Sequence, residues 1–374
     1  MEFTIHQQVL MSVFAVALIM GAVANKTNFC TMGAVSDWVN MGDTGRLRAW
    51  LLAMAVALTG VLGLEAAIGL NLSSEVFPPY RTANFAWLRY LLGGLMFGVG
   101  MTLASGCGNK TLVRIGGGNL KSLVVLVVAS VFAYLMLWGD LYGKVFDSWI
   151  GATTINLAAS GMASQELSAV FGGLLGQQAS AGLHFVIGGV VALAMFGFIF
   201  ANHEFRGSFD NILSGTVIGL AVVFGWWITG GSTGATWKEF AEMAVDVPSR
   251  VQTQSFTFIS PMGDTARYLM EPGKLAFVNF GIMALSGVIL GSLVYALVSR
   301  TFRVEWFANR EDVINHLVGA TLMGIGGVLS MGCTVGQAIT GFSTLALGSI
   351  LTFVAIVAGS VVTMKYLYWR AMQD

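Results

Sequence analysis

Apolar residues in this chain come in long blocks separated by short polar interruptions. About 20 mostly apolar residues are needed for a helix to cross a bilayer. Nine segments meet or approach that length: roughly 8–25, 47–70, 86–105, 120–138, 182–201, 211–230, 274–299, 315–332 and 345–369. Between them lie stretches too polar or too brief to cross: 26–43 (KTNFCTMGAVSDWVNMGD), 106–119 (GCGNKTLVRIGGGN) and 333–344 (CTVGQAITGFST). Residues 231–243 (GSTGATWKEFAEM) take the corresponding place after the sixth block. Each is long enough for a half-helix of two or three turns. Non-helical backbone at membrane depth is tolerated only where protein or a wet cavity satisfies it, so four such breaks point to a pathway.

Two further segments read as excursions on one side of the membrane. Residues 139–181 are rich in Ala, Gly and Ser, with a surface helix expected near 164–175. Residues 244–273 hold three of the five prolines and read as a structured loop. Neither carries enough core for a separate domain, so residues 1–374 are expected to form one membrane domain. The first block begins after Glu2 without a basic cluster and is not followed by a small-residue cleavage pattern, unlike a removable signal peptide.

Composition agrees with the pattern. Hydrophobic residues make up 56% and charged residues 10%, too few charges to cover a water-exposed globule. Nineteen basic and nineteen acidic residues leave no basic footprint for nucleic acid. With the amino terminus outside and nine spans, the inner side receives 12 of the lysines and arginines and the outer side 7. The positive-inside rule favours that topology.

The two halves resemble one another. Residues 93–107 (GGLMFGVGMTLASGC) align without a gap to 319–333 (GATLMGIGGVLSMGC), matching four glycines and Cys107 with Cys333. A fainter match sets Gly21–Gly33 against Gly219–Gly231, placing Cys30 opposite Ile228. Repeat one then covers 8–138, repeat two covers 211–369, and span 182–201 joins them. One span between two four-span units inverts the second, a recurring transporter design with its site near the midplane. The expected fold class is an all-α integral membrane protein. It would hold about nine transmembrane helices and short re-entrant half-helices in two inverted pseudo-symmetric repeats.

All three cysteines share one setting: NFCTMG, SGCGNKT and MGCTVG, each at the end of an apolar span and before a broken element. A thiol there is a weak, soft donor that meets a sulfur-bearing anion without the desolvation cost of a buried lysine. Half-helix amino termini add N–H donors and partial positive charge. His6, His184, His203 and His316 sit near span ends, away from the thiols, so a zinc cluster is not expected. No haem, iron–sulfur or phosphate-loop spacing occurs. No cofactor is expected.

The phrase NFCTMGA after a first span, the paired GxGxxLxxGC elements and the run SFTFISPMGDTARYL together resemble the YeeE/YedE family. These are bacterial inner-membrane proteins with sulphur-transport domains, associated with thiosulfate uptake. The resemblance covers nearly the whole chain. It implies an hourglass-like helical fold with short helices entering from both faces, and passage of thiosulfate through a constriction lined by Cys30, Cys107 and Cys333. It also implies a soluble sulfur-accepting protein on the cytoplasmic side. Some members are linked instead to selenium metabolism.

Other residues fit the same picture. Lys110 and Arg114 lie at i, i+4 spacing after Cys107 and would draw an anion into an inner vestibule or anchor the inner face. Asn109, Thr334 and Gln337 sit beside the breaks, as donors to substrate oxygens or to freed backbone groups. Trp226 and Trp227 close the sixth span, where a membrane-belt role is the default and a hydrophobic collar the alternative. Glu65 is the most deeply placed acid, either a proton-coupling site or a side chain snorkelling to the outer interface. The preferred reading is inward transport of thiosulfate past Cys30, Cys107 and Cys333, with Asn109, Lys110, Thr334 and Gln337 assisting. The alternative is a membrane sulfurtransferase that passes sulfane sulfur, or a selenium compound, through a cysteine persulfide to a soluble partner. A third reading, a membrane anchor for a sulfur-handling partner, ranks last.

Overall fold

The structure is a computed structural model describing residues 3–72, 76–176, 180–244 and 246–373. The first half holds α1 (Ile5–Lys26), α2 (Thr31–Met41), α3 (Gly45–Ile68), α4 (Trp87–Leu103), α5 (Gly108–Gly116) and α6 (Leu120–Leu137). A connecting region carries α7 (Ser148–Ile150), α8 (Leu167–Leu174), α9 (Ala181–Phe200) and α10 (His203–Gly207). The second half follows with α11 (Phe209–Gly230), α12 (Ser232–Met243), α13 (Ile259–Met270), α14 (Phe280–Val298), α15 (Arg310–Leu329) and α16 (Leu347–Ala371). Among the described residues, nine helical stretches are long and apolar enough to cross a membrane, with α1–α2 and α4–α5 each counted as one broken span. The chain is an all-α, multi-pass membrane protein.

Helix contacts rest on glycine because lipid tails give apolar helices little reason to associate, so close backbone packing must do it. Helix α4 crosses α15 at two places, Gly93 with Gly326 and Gly100 with Gly319. A methyl on any of the four would meet the other helix's carbonyl oxygen at 2.6–2.8 Å. Helix α14 lies as closely on α1: a methyl on Gly291 would fall 1.8 Å from the Leu18 carbonyl oxygen.

Three helices end in the same way, each just before a cysteine. Asn28, Ser105 and Met331, two positions ahead of Cys30, Cys107 and Cys333, adopt left-handed φ values of 53°, 56° and 60°. The next N–H then reaches back five residues, from Phe29 to Ala24, Gly106 to Met101 and Gly332 to Gly327, at 2.8–3.2 Å. This is the six-to-one bond of a Schellman cap, which satisfies carbonyls the helix would otherwise leave orphaned. A left-handed non-glycine residue costs roughly 1–2 kcal/mol, and all three positions carry a side chain. Helix α11 ends differently. Gly231 is extended and bonds back to Trp227 at 2.9 Å, and Ser232 opens α12 with no cysteine between.

Two expectations need correction. Residues 244–273, expected as a loop, contain the three-turn helix α13, whose segment Ile259–Asp264 is buried. The run after Cys333 is not an α-half-helix; it forms a wider π-helical turn over Val335–Gly341 and a tight turn over Phe342–Thr344. The surface helix expected near 164–175 is α8, while residues 177–179 of that excursion lie outside the described residues.

The glycine contacts predict a contrast. Gly291→Ala should lower stability by about 1–3 kcal/mol through overpacking. Gly189→Ala, in α9 where nothing lies within 4 Å, should be neutral or slightly stabilising, since alanine is the better helix former. Thermal unfolding of the detergent-solubilised variants checks both.

Candidate functional site

Cys30 and Cys107 are the residues that open α2 and α5, so both half-helices begin at a thiol. The Cys30 sulfur accepts from the Gly33 N–H at 3.4 Å, whereas Cys107 makes no side-chain cap. The two thiols lie within hydrogen-bonding reach of one another, and the Thr31 hydroxyl lies 4.0 Å from the Cys107 sulfur. Cys333 approaches from the other half: a methyl on Gly108 would sit 3.9 Å from its Cβ. The three cysteines, distant in sequence, form one buried group. Cys30 is 3% exposed and the other two fully buried.

Unpaired polar atoms surround that group. Asn109 is fully buried, and neither its amide nitrogen nor its oxygen has a partner. The Gln337 carbonyl oxygen, the Thr257 hydroxyl and the Thr334 hydroxyl are likewise unsatisfied. Thr334 lies beside the Cys107 sulfur, and Thr257 lies where a methyl on Gly336 would touch its hydroxyl at 2.4 Å. Gln337 gives its amide N–H to the Ser330 carbonyl. Buried polar groups are nearly always hydrogen-bonded, so orphans deserve an explanation. A polar ligand or ordered water in the cysteine group supplies one.

Beside Cys30 lies a cavity of about 370 Å³ at the far end of α1, lined among others by Asn28, Arg46, Lys110, Arg114 and Arg303. Lys110 and Arg114 spend hydrogen bonds on neutral oxygens, Asn28 Oδ1 at 3.0 Å and the Ser105 carbonyl at 2.9 Å. Their charge is therefore left to act on the cavity. Arg46 is paired with the buried Asp37, and its guanidinium lies where any side chain on Gly33 would collide. Of these residues the sequence pattern singled out Lys110 and Arg114 and missed Arg46 and Arg303. Arginines at helix ends read as membrane anchors until the tertiary structure turns them inward.

On the opposite side the group is closed. Phe256, Phe258, Ile259 and Met262 are 0–1% exposed, and Tyr80 donates to the Gly336 carbonyl at 2.7 Å. Trp226 is fully buried and donates to Ser343 at 3.1 Å, whereas Trp227 is 47% exposed. Trp226 is thus enclosed by protein and does not face outward as a belt residue would, whereas Trp227 does face outward. The Glu65 side chain is largely buried and ion-paired. Its carboxylate binds Arg81 at 2.8 Å and His184 Nε2 at 2.6 Å, while His184 Nδ1 meets Glu166 at 2.5 Å. Arg81 also lies 3.3 Å from Glu166 and donates to the Thr344 carbonyl at 3.0 Å. Two acids and two bases tie α3, α8 and α9 to the turn that follows Cys333. Among the described residues no cluster of three metal-ligating side chains occurs.

Burial pushes the Glu166 carboxyl up, but hydrogen bonds from His184 and Ser168 and the charge of Arg81 outweigh it, holding the group below the usual carboxylate range. The stabilisation is therefore present above about pH 4.3, the ordinary value, and is lost as pH falls through the lower folded value. Glu166→Gln should lower the melting temperature at pH 7. The gap from wild type should shrink as the pH drops below about 4, as a pH series of thermal melts will show.

A sequence-family model described as "Sulphur transport" matches residues 26–362. Two curated relatives are similar over most of their length, each called "Thiosulfate transporter TsuA". The one from Escherichia coli (strain K12) is 24% identical over 85% of this chain and 83% of its own. The one from Spirochaeta thermophila (strain ATCC 700085 / DSM 6578 / Z-1203) is 25% identical over 95% of this chain and 98% of its own.

Proposed function

The chain belongs to the sulphur transport family, and from that premise we propose that it is a transporter carrying thiosulfate across the membrane past Cys107. The names of the two similar transporters support the substrate. The observation that carries the site is the meeting of three thiols with unsatisfied buried donors at the starts of two half-helices.

Thiosulfate is a dianion with one soft terminal sulfur and three hard oxygens. Neutral thiols offer S–H to the soft end. The Asn109 amide and the Thr334 hydroxyl, with the uncapped N–H groups of α5, offer hard donors to the oxygens. Gln337, whose unpaired atom is an acceptor, takes an S–H or O–H from its neighbours and orients them. Moving a dianion into a low dielectric is expensive unless it is hydrogen-bonded throughout. Sequential hand-over from Cys333 to Cys107 to Cys30 keeps it so without forming a covalent bond. Lys110 and Arg114 receive the anion in the cavity beside Cys30. That cavity is the cytoplasmic vestibule if the amino terminus is periplasmic, as the lysine and arginine distribution favours. The matching caps before Cys107 and Cys333, and the reciprocal Gly93–Gly326 and Gly100–Gly319 contacts, support reading 8–138 and 211–369 as inverted repeats.

Uptake of radiolabelled thiosulfate into proteoliposomes tests the site. Cys107→Ala should reduce uptake more than tenfold, with Cys30→Ala and Cys333→Ala also impaired. Asn109→Leu is the sharper variant. Replacing an orphaned buried amide by an apolar group of similar size should leave stability unchanged or raise it, while uptake falls. Wild-type uptake in Asn109→Leu would remove that residue from the path, and full uptake in all three alanine variants would remove the thiol relay.

A further inference from the structure

The sulfur atoms of the site need not all come from cysteine. Met262 lies in the first turn of α13 and is 1% exposed. A methyl on Gly108 would lie 3.6 Å from the Met262 Cε, 3.9 Å from the Cys333 Cβ and 4.0 Å from the Phe258 Cβ. The thioether methyl therefore rests over the glycine between Cys107 and Asn109, across from Cys333. It closes the cysteine group on the face from which α1 starts, the same face where Trp237 of α12 donates to His6 at 2.9 Å.

The backbone carrying Met262 is fixed on every side. A methyl on its neighbour Gly263 would meet Leu137, Ala133 and Tyr134 of α6 at 3.0–3.2 Å. Ile259 packs where a methyl on Gly327 of α15 would strike it at 2.7 Å. Asp264 is held by Arg250 at 2.7 Å, Trp138 at 3.2 Å and Asn279 at 3.2 Å. With α13 clamped between α6 and α15, the part free to move at this contact is the Met262 side chain itself. Methionine is unbranched, turns about three bonds, and carries a polarizable sulfur that cannot ionise. Next to a dianion it therefore adds no repulsion, unlike a thiolate. The alignment of the two halves left Ile228 opposite Cys30, so a fourth sulfur does not come from the break between α11 and α12.

We propose that Met262 is a further sulfur residue of the path and a specificity-determining one. Its thioether closes the route to Cys333 from the α1-start face and, by swinging aside, admits an anion with a soft sulfur end. The specificity part rests on the thiosulfate reading above; the closure does not. Site-resolved alkylation by a small water-soluble thiol reagent, read by mass spectrometry on the full-length protein in detergent, tests the closure without any substrate. Cys30, which lines the open cavity, is the internal reference. Met262→Ala should raise the rate at Cys333 at least tenfold and leave Cys30 unchanged. Met262→Leu, similar in volume, should leave both rates as in wild type and so controls for folding. An unchanged Cys333 rate in a folded Met262→Ala protein overturns the closure.

Uptake kinetics test the sulfur. Met262→Leu should raise the half-saturating thiosulfate concentration several-fold at an unchanged maximal rate. Met262→Ala should admit sulfate that wild type excludes. Wild-type half-saturation in the leucine variant overturns the role of the thioether. Faster alkylation in Met262→Ala with no thiosulfate uptake by wild type would keep the closure and reject the transport reading instead.

Discussion

Every part of the site depends on stopping a helix inside the protein and starting another from a cysteine. An α-helix leaves carbonyls unpaired at its end and N–H groups unpaired at its start. In a membrane neither can be left to lipid. The cap before Cys30, Cys107 and Cys333 resolves the first half of that problem locally, by turning one residue left-handed and folding the next N–H back onto the helix. The second half is left open at α5, where Cys107 provides no cap. The backbone donors there remain directed at whatever occupies the cysteine group.

Glycine makes this arrangement compact. Close approach of α4 to α15 at Gly93, Gly100, Gly319 and Gly326 brings the spans preceding Cys107 and Cys333 into direct backbone contact. The two spans run antiparallel, so their ends lie apart, and the chain that turns back after each end brings Cys333 against Gly108. On the α1-start face, the clamp on α13 and the Glu65–Arg81–His184–Glu166 quartet hold the covering segments against the turn that follows Cys333. On the opposite face Arg46 is fixed by Asp37, whereas Lys110 and Arg114 meet only neutral oxygens. The molecule is thus sealed on one side and basic and open on the other. That asymmetry suits the anion path proposed above.

The orphaned groups sharpen this. Asn109, Thr257, Thr334 and Gln337 lie close to the thiols and lack partners, while polar side chains farther out, such as Thr102 and Ser360 at 2.8 Å, are paired with each other. Other buried atoms, such as Trp50 Nε1 and Thr352 Oγ1, also lack partners, but the thiol cluster is where several such groups meet beside two half-helix starts.

The sequence by itself determined the nine spans, the breaks and the common setting of the cysteines, because length of apolar run and local glycine content act within a few residues of each site. It also picked out Asn109, Thr334 and Gln337, whose neighbours in the chain are the breaks themselves. What only the tertiary structure decided depends on partners far away in sequence. Residues 244–273 read as a structured loop because they hold three prolines; the segment, helix α13 included, is fixed by distant partners, with Thr229 holding Gln254 at 2.9 Å and Arg250, Trp138 and Asn279 holding Asp264. The partner of Glu65 was invisible in the sequence because His184 lies 119 residues away. Trp226 and Trp227 are adjacent and chemically identical, yet one faces Ser343 in the interior and the other faces outward. Which side of a helix is covered is set by what packs against it, and that is a property of the assembled fold.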